Sequence, residues 1–489
     1  MKTARLIVKN FGPLKDVNIL VTDFLCLIGK QATGKSTIAK LISIFEDENF
    51  EKELFGQNLK TYGLDQFMTN DTFISYKIDE NNKSSILHFD FIFENNKAIL
   101  NNFKTYFTHF FEIENLKDIT KTSELISEIS THLIKGLIKY DDIFAVEKIG
   151  VIIEDLELKI KDFKLFSNDI LIRIENNDKE VDWIDKQMNK LSKKALENPS
   201  VELRQEINDL RKTQDNLKKN ILKIRNDVNE HAKGFEKLIE NYYYDIVDFL
   251  KLDSQYIPSE RSFLHIIAEN IFGLINNNIQ IPKHLLEIGQ EYEKALNVVK
   301  EIPLTLIDKK FRYKREGKTS YIYHGLEERV DLLQSASGLQ SILPIILLIE
   351  YARTLKDNYH FNYVVEEPEL NIYPETQHQL IKYLVKNIFN FSENNFQRKK
   401  LVITTHSPYI LASINNLLLA YQKGIQKPKE VNKIIKKEYW INPKFFNAYE
   451  LKNGKSYRIV NNKIGQIRSN IIDIVSDSFS EEFDKLLAL

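Results

Sequence analysis

The spacing of apolar residues changes twice along this chain. Near the start it alternates, so that Arg5-Leu6-Ile7-Val8 and the short apolar run Phe24-Leu25-Cys26-Leu27-Ile28 read as strands on either side of a turn at Gly12-Pro13. Thr72 to Ile78 and Ser85 to Phe93 alternate in the same way, with turns at Asn81-Asn82 and Asn95-Asn96, which predicts an antiparallel meander. From about residue 115 the period lengthens to that of a helical seam. Ile153, Leu156, Ile160, Phe163, Ile170, Ile174, Val181, Ile184, Met188 and Leu191 share one register, with Ser167 and Asn177 as polar intrusions. Asn198-Pro199-Ser200 breaks that helix, and Leu203, Ile207, Leu210, Gln214, Leu217, Ile221, Ile224 and Val228 form a second seam.

Two seams of similar length across a proline turn predict an antiparallel coiled-coil hairpin. The alternative is two ordinary helices packed on a globular body; the hairpin is preferred because the other faces are dense in Lys, Asp, Glu and Asn. A globular pattern returns near residue 250 and ends in a helix from Ser480 to Leu489. The expected organisation is therefore α/β, with residues 1–110 and 251–489 forming one head and residues 111–250 inserted as the helical hairpin.

Composition narrows the picture. At 489 residues the chain exceeds one compact core, and 43% hydrophobic residues supply a packed interior. A net charge of −1 gives no global attraction to nucleic acid, so any such contact needs a local patch. The single cysteine, Cys26, excludes internal disulfides, suggests a reducing compartment and reads as a buried small hydrophobe. The ten histidines show no ligand-like spacing, which argues against zinc. The longest apolar run, around Ile342 to Ile349, is too short to span a membrane and contains Pro344; a soluble, cytoplasmic protein is expected.

Candidate chemistry begins at Gly29-Lys30-Gln31-Ala32-Thr33-Gly34-Lys35-Ser36, followed by Thr37, which fits the phosphate-loop pattern G-x-x-x-x-G-K-[ST]. A strand precedes it and a helix follows, so backbone N–H groups converge on a phosphate at the positive end of the helix. Lys35 would reach the β- and γ-phosphates of ATP and Ser36 would ligate Mg²⁺. Asn362 to Leu370 is an apolar strand ending in acids; Glu366 would hold Mg²⁺ through water and Glu367 would polarise the attacking water. Leu401 to Pro408 is a second such strand, ending at His406, which could sense the γ-phosphate or hold the water. Ser335 to Ser341 is a small-residue loop opening an apolar helix, a second N-terminus suited to an anion. One chain has no second phosphate to offer it, but a partner subunit does. Lys309 to Tyr323 reads as a hairpin mixing basic and aromatic residues; it could contact nucleic acid, but one solvated and one buried face is the preferred explanation.

The order of phosphate loop, Ser337-Gly338-Leu339-Gln340, acidic strand and Thr-His strand resembles the ABC-type ATPase heads of the SMC, RecF and OLD (overcoming lysogenization defect) group. Val8-Lys9-Asn10-Phe11-Gly12-Pro13-Leu14 looks like that group's opening strand and turn. Ile257-Pro258-Ser259-Glu260-Arg261-Ser262, Glu366-Glu367-Pro368-Glu369, Thr405-His406-Ser407-Pro408 and Ala448 to Lys455 look like OLD-like ATPases of bacterial anti-phage defence systems such as Septu, PARIS and Gabija. The resemblance covers roughly residues 1–110 and 250–489 and is weak over the hairpin. It implies a head dimer, or higher homo-oligomer, sandwiching two ATP molecules, each between one subunit's phosphate loop and the other's Ser337, Gly338 and Gln340. It further implies Glu367 as catalytic base, His406 as switch histidine, and a separate nuclease or toxin as effector, with nucleic acid left open as a partner.

The sequence departs from the family pattern at several places. Glu366 stands where ABC heads generally have Asp, the signature is Ser-Gly-Leu-Gln, and Asn371-Ile372-Tyr373-Pro374 replaces a frequent His-Pro. Gln57 and Gln66 are positional candidates for the Q-loop glutamine. Some eighty residues follow His406 without an Asp-x-Asp pair, so no nuclease activity is expected of this chain.

Overall fold

Phe24–Gly29, strand β3, is buried at every position, because both faces of this strand meet apolar layers. Its side chains alternate between two cores, with Phe24, Cys26 and Ile28 in one and Leu25 and Leu27 in the other. The structure, a computed structural model, describes residues 4–47, 50–78, 89–102, 143–250, 253–268, 280–355, 361–389, 400–468 and 480–487. It divides into two compact units, residues 1–81, 89–101 and 250–489 in the first, and residues 82–88 and 102–249 in the second.

In the first unit, β1 (Ala4–Phe11) and β2 (Leu14–Val21) pair antiparallel from Ala4–Val21 to Phe11–Leu14 around the Gly12-Pro13 turn. Strand β4 (Phe73–Ile78) pairs antiparallel with β1 on one side and with β5 (Phe89–Glu94) on the other. The turn Asn95-Asn96, with φ of 51° and 58°, leads to β6 (Lys97–Asn102); two positive φ values suit a tight hairpin, and asparagine tolerates them. The Asn81-Asn82 turn and the start of the expected Ser85 to Phe93 strand lie outside the described residues.

The parallel half contains β7 (Asp253–Ile257), β12 (Phe361–Glu366), β13 (Leu401–Thr405) and β14 (Phe446–Lys452), the last turning at Asn453-Gly454 into β15 (Lys455–Arg458). The eleven-stranded order is β6-β5-β4-β1-β2-β15-β14-β3-β13-β12-β7. Strands β14, β3, β13, β12 and β7 run parallel to one another, and β15 pairs antiparallel with β14. The hairpin β14–β15 thus sits in the middle of the sheet and joins its two halves. Its mixed polarity, with Asn447 and Glu450 among apolar residues, hides a central strand from a hydropathy reading; Asn447 is nonetheless buried and hydrogen-bonds Leu20 and Arg458.

Four short strands form a second sheet, β8 (Glu301–Pro303), β9 (Arg312–Glu316), β10 (Thr319–Tyr323) and β11 (Arg329–Asp331), ordered β11-β10-β9-β8. Tyr313, Ser320 and Ile322 are buried on one face. On the other, Arg312 pairs with Glu301, and Lys314 and Arg329 pair with Glu316, while Arg312 and Arg329 lie over the rings of Tyr323 and Tyr321 at 4.5 and 4.2 Å. Arg312, Lys314 and Arg329 are therefore paired within their own sheet, as the solvated-face reading expects, while Arg315 donates to the Ser320 hydroxyl.

The second unit contains two helices, Ile143–Glu197 and Val201–Leu250, broken at the Asn-Pro-Ser turn. At 1.5 Å per residue the first is about 80 Å long. Ile170, Ile184 and Ile221 of the two seams are buried, and the buried Gln214 donates to Asp185 at 2.5 Å across the antiparallel arms.

Beneath the parallel strands, the helix Lys35–Phe45 ends at Glu46, whose buried carboxylate accepts from Lys400, from Tyr76 and, at 2.8 Å, from Asn362. This network ties the phosphate-loop helix to the entry ends of β12 and β13. Lys400→Met leaves Glu46 buried without its cation and should destabilise the head by about 3–5 kcal/mol, read as a lowered denaturant midpoint. An unchanged midpoint would show that the pair contributes nothing to the fold.

Candidate functional site

Parallel register decides which residues meet. Ile28 pairs with Thr405 and Thr404 with Glu366, so β3, β13 and β12 end level with one another. The loops that leave them carry Gly29 to Ser36, His406, and Glu367. The acidic strand is not the immediate neighbour of the phosphate-loop strand, because β13 stands between them.

The phosphate loop leaves β3 at Gly29 and passes through Ala32 (φ 58°) and Gly34 (φ 95°) into the helix at Lys35. Gly34 is required twice over: its φ is left-handed, and a Cβ there would collide with Leu14. Lys30 and Gln31 are exposed at the bend, and Thr33 donates to the Lys30 carbonyl at 2.8 Å. Lys35 is buried and donates to the carbonyls of Gly29 and Lys30, both at 3.0 Å, so its ammonium is folded back into its own loop. Burial lowers its pKa, while Glu367, Glu369 and Glu366 pull it up. Ser36 follows Lys35 on the helix, and Thr37 is buried beneath it.

Glu366 ends β12 with its carboxylate buried and Oε1 without a hydrogen-bond partner among the described residues. Burial raises its pKa, and the hydroxyls of Ser36 and Tyr256 and the charge of Lys40 draw it back. A buried, underbonded carboxylate beside a serine hydroxyl fits a divalent cation. The described residues hold no cluster of three or more His, Cys, Asp or Glu suited to a metal, so a cation here would take its remaining ligands from phosphate and water.

Glu367 adopts φ 42°, a conformation costing a non-glycine residue roughly 1–3 kcal/mol. Its N–H donates to the Thr404 carbonyl at 2.9 Å, and its Oε1 lies 3.4 Å from His406 Nδ1. Glu369 is the residue whose part the sequence reading missed. Its Oε1 accepts from Thr405 Oγ1 at 2.7 Å and from the His406 N–H at 2.9 Å, fixing the turn that presents the histidine. Its position in Glu366-Glu367-Pro368-Glu369 was the available signal.

Ser337, Gly338 and Gln340 lie in the first turn of the helix Ser337–Thr354, so the helix starts earlier than the apolar run from Ile342 suggests. Ser337 is exposed. A Cβ at Gly338 would meet the Asn371 carbonyl at 2.5 Å, so this glycine lets the helix start pack against the turn after the acidic strand. The Gln340 amide donates to the carbonyls of Leu332, Leu333 and Ser335 at 3.2, 2.9 and 3.0 Å. The side chain of Gln340 is thus spent on its own loop, while the residues around Lys35, Glu366, Glu367 and His406 form a separate cluster. Gln57 and Gln66 are exposed, and neither hydrogen-bonds a site residue among those described.

A second residue without an assigned role in the sequence reading is Arg261. It is fully buried, and its guanidinium donates to the carbonyls of Ser341 (2.8 Å), Pro258 (3.2 Å), Glu366 (2.7 Å) and Glu367 (2.8 Å). Burial lowers its pKa to about 10, with Glu369, Glu366 and Glu367 opposing the drop, so it stays charged at neutral pH.

No curated protein matches the chain. Among solved structures the chain is similar to the Smc head domain with an extended coiled coil bound to the C-terminal domain of ScpA from Pyrococcus furiosus, at 10% identity and a TM-score of 0.32 over 98% of this chain and 99% of that one. It is also similar to the SMC head domain from Thermotoga maritima, at 9% identity and a TM-score of 0.34 over 94% and 98%. It is similar as well to the recombination mediator protein RecF-ATPrS, at 12% identity and a TM-score of 0.29 over 94% and 98%. Among the described residues no helix is long and apolar enough to cross a membrane. The model of the AAA ATPase domain matches residues 1–411, and the chain therefore belongs to the AAA ATPase domain family.

Proposed function

We propose that this chain is an ATP-hydrolysing switch whose heads pair around two ATP molecules, and that hydrolysis resets its hold on a separate effector in anti-phage defence. The observation that carries the ATPase chemistry is the meeting, at three level strand ends, of a buried lysine, a serine beside an underbonded glutamate, and a Glu–His pair 3.4 Å apart. Ser36 and, through water, Glu366 would hold Mg²⁺, which would supply charge neutralisation for the triphosphate of ATP. Lys35 exchanges the carbonyls of Gly29 and Lys30 for phosphate oxygens. Glu367 takes a proton from the attacking water, and His406, held by Glu369, keeps that water in line with the γ-phosphate. Gly29 to Thr37 wrap the phosphates with backbone N–H groups.

The paired-head part of the proposal is supported by the exposed Ser337 at the N-terminus of an 18-residue helix. That helix end is free to bind the phosphate held by a second copy, with Ser337 and the N–H of Gly338 as donors and Gln340 fixing the loop. The defence role and the nuclease or toxin effector rest on the resemblance of the Glu-Glu-Pro-Glu, Thr-His-Ser-Pro and Ile-Pro-Ser-Glu-Arg-Ser motifs. Strong stimulation of hydrolysis by DNA with steep salt dependence would instead favour a repair ATPase of the RecF or RecN kind. ATP-dependent assembly left unchanged by Glu367→Gln, neither lost nor trapped, would favour a scaffold for which hydrolysis is dispensable.

Three outcomes check the chemistry. Lys35→Ala should weaken ATP binding at least about 100-fold, roughly 2.7 kcal/mol, by equilibrium titration. Glu367→Gln should keep ATP binding, lower kcat by about 10²–10⁴, and accumulate ATP-bound dimers on a sizing column; normal turnover would remove Glu367 as base. Because burial raises the Glu366 pKa, acidification should protonate it above the usual carboxylate range. Affinity for MgATP should then be intact at neutral pH and lost, as pH falls, earlier than for an exposed glutamate; an unchanged affinity through that range would exclude Glu366 as a metal-side acid.

A further inference from the structure

Pro344 lies inside the helix Ser337–Thr354 and has no N–H to offer the carbonyl four residues earlier, that of Gln340. That carbonyl is not left bare. His265 Nε2 stands 2.8 Å from it, and His265 Nδ1 stands 2.7 Å from the Tyr292 hydroxyl. The arrangement fits a neutral imidazole that donates from Nε2 and accepts at Nδ1, and burial lowers the pKa of this histidine to about 4. One residue further along, the Ser341 carbonyl accepts from Arg261. Two consecutive carbonyls of the signature helix are therefore held by side chains of the segment Pro258 to Ile267, outside the helix's own ladder.

The same Arg261 holds the catalytic turn. Nη1 and Nη2 reach the carbonyls of Glu366 and Glu367, residues more than one hundred positions away in the chain. The Glu367 peptide is thereby fixed at both ends, its N–H on Thr404 and its carbonyl on Arg261. A residue held at φ 42° keeps that conformation only when its surroundings over-determine it. Burying a guanidinium against neutral carbonyls is expensive, and a mere packing role would be served by an apolar side chain. What the arginine adds is a rigid fork joining two loops whose functions must be timed together.

We infer that Arg261 is a positioning residue that couples the signature helix to the catalytic turn, so that engagement of Ser337 and Gly338 by a second copy's ATP sets the carboxylate of Glu367. His265 seats the helix start on the same strut. This inference rests on the reading of Ser337 as a phosphate ligand in trans. The backbone carbonyls of Ser341, Glu366 and Glu367 then move as one body, and an unengaged helix leaves Glu367 out of line with the attacking water.

The test is a double-mutant cycle on the full chain, with ATP binding and kcat measured separately. Arg261→Lys keeps the charge but not the fork. It should keep the dissociation constant for ATP within about twofold and lower kcat at least about tenfold. Ser337→Ala alone should lower kcat about tenfold, and in the Arg261→Lys background it should have almost no further effect. If Ser337→Ala lowers kcat equally in both backgrounds, Arg261 is structural and the coupling falls while the trans reading stands. If Ser337→Ala leaves kcat unchanged in the unmodified chain, the trans reading itself falls and the coupling with it. Should Arg261→Lys fail to fold, the same cycle uses His265→Gln, which retains a donor for Gln340, against His265→Leu, which does not. Loss of the Ser337 effect in His265→Leu only supports the strut, and equal effects in both overturn it.

Discussion

The parallel register of β3, β13 and β12 is the constraint on which the rest depends. Because Ile28 faces Thr405 and Glu366 faces Thr404, three loops emerge at one level and their polar ends must share one space. A shift of one residue in any of these strands would reverse which side chains face each core and would carry Lys35, Glu367 or His406 out of line. The apolar strands hold the register by burial on both faces, and the Glu46–Lys400–Asn362 network pins their far ends. Stability and chemistry are thus divided between opposite ends of the same strands.

At the chemical end, charge is concentrated where water is scarce. Glu366, Glu369 and Lys35 are all buried, and their fields act on one another more strongly than they would in solvent. The lysine is drawn back to its own loop, Oε1 of Glu366 lacks a hydrogen-bond partner among the described residues, and Glu367 sits in a left-handed turn. Each of these costs the fold something, and under the proposed function each would be relieved or used when a triphosphate and a cation enter. The arrangement resembles a clasp held open by its own backbone.

Much of this was legible in the sequence, for identifiable reasons. The strand, loop and helix around Gly29 to Ser36 were legible because the pattern fixes residue types at fixed spacing, with a glycine at position 34 where φ is positive and a helix beginning at Lys35. The helix break at Asn198-Pro199-Ser200 was legible because proline cannot continue a helical ladder. The central hairpin β14–β15 was not, because its strands mix polar and apolar residues and gain their place only from pairing with β3. Nor was the early start of the helix at Ser337, since Pro344 argues locally against a helix while His265 supplies the donor it lacks. Arg261 reads as an ordinary loop arginine until the fold brings the carbonyls of Ser341, Glu366 and Glu367 around it. Residues 103–142, where the hairpin pattern begins, lie outside the described residues.

The central claim is that one ATP is bound by two copies of the chain, and subunit mixing tests it most directly. Chains carrying Lys35→Ala and chains carrying Ser337→Arg are each expected to be inactive alone. Mixed in equal amounts, half of the dimers formed combine one of each and retain one intact composite site, so hydrolysis should recover to about a quarter of the unmodified rate. A mixture as inactive as its two components would contradict the shared site and leave only a phosphate loop working within a single chain.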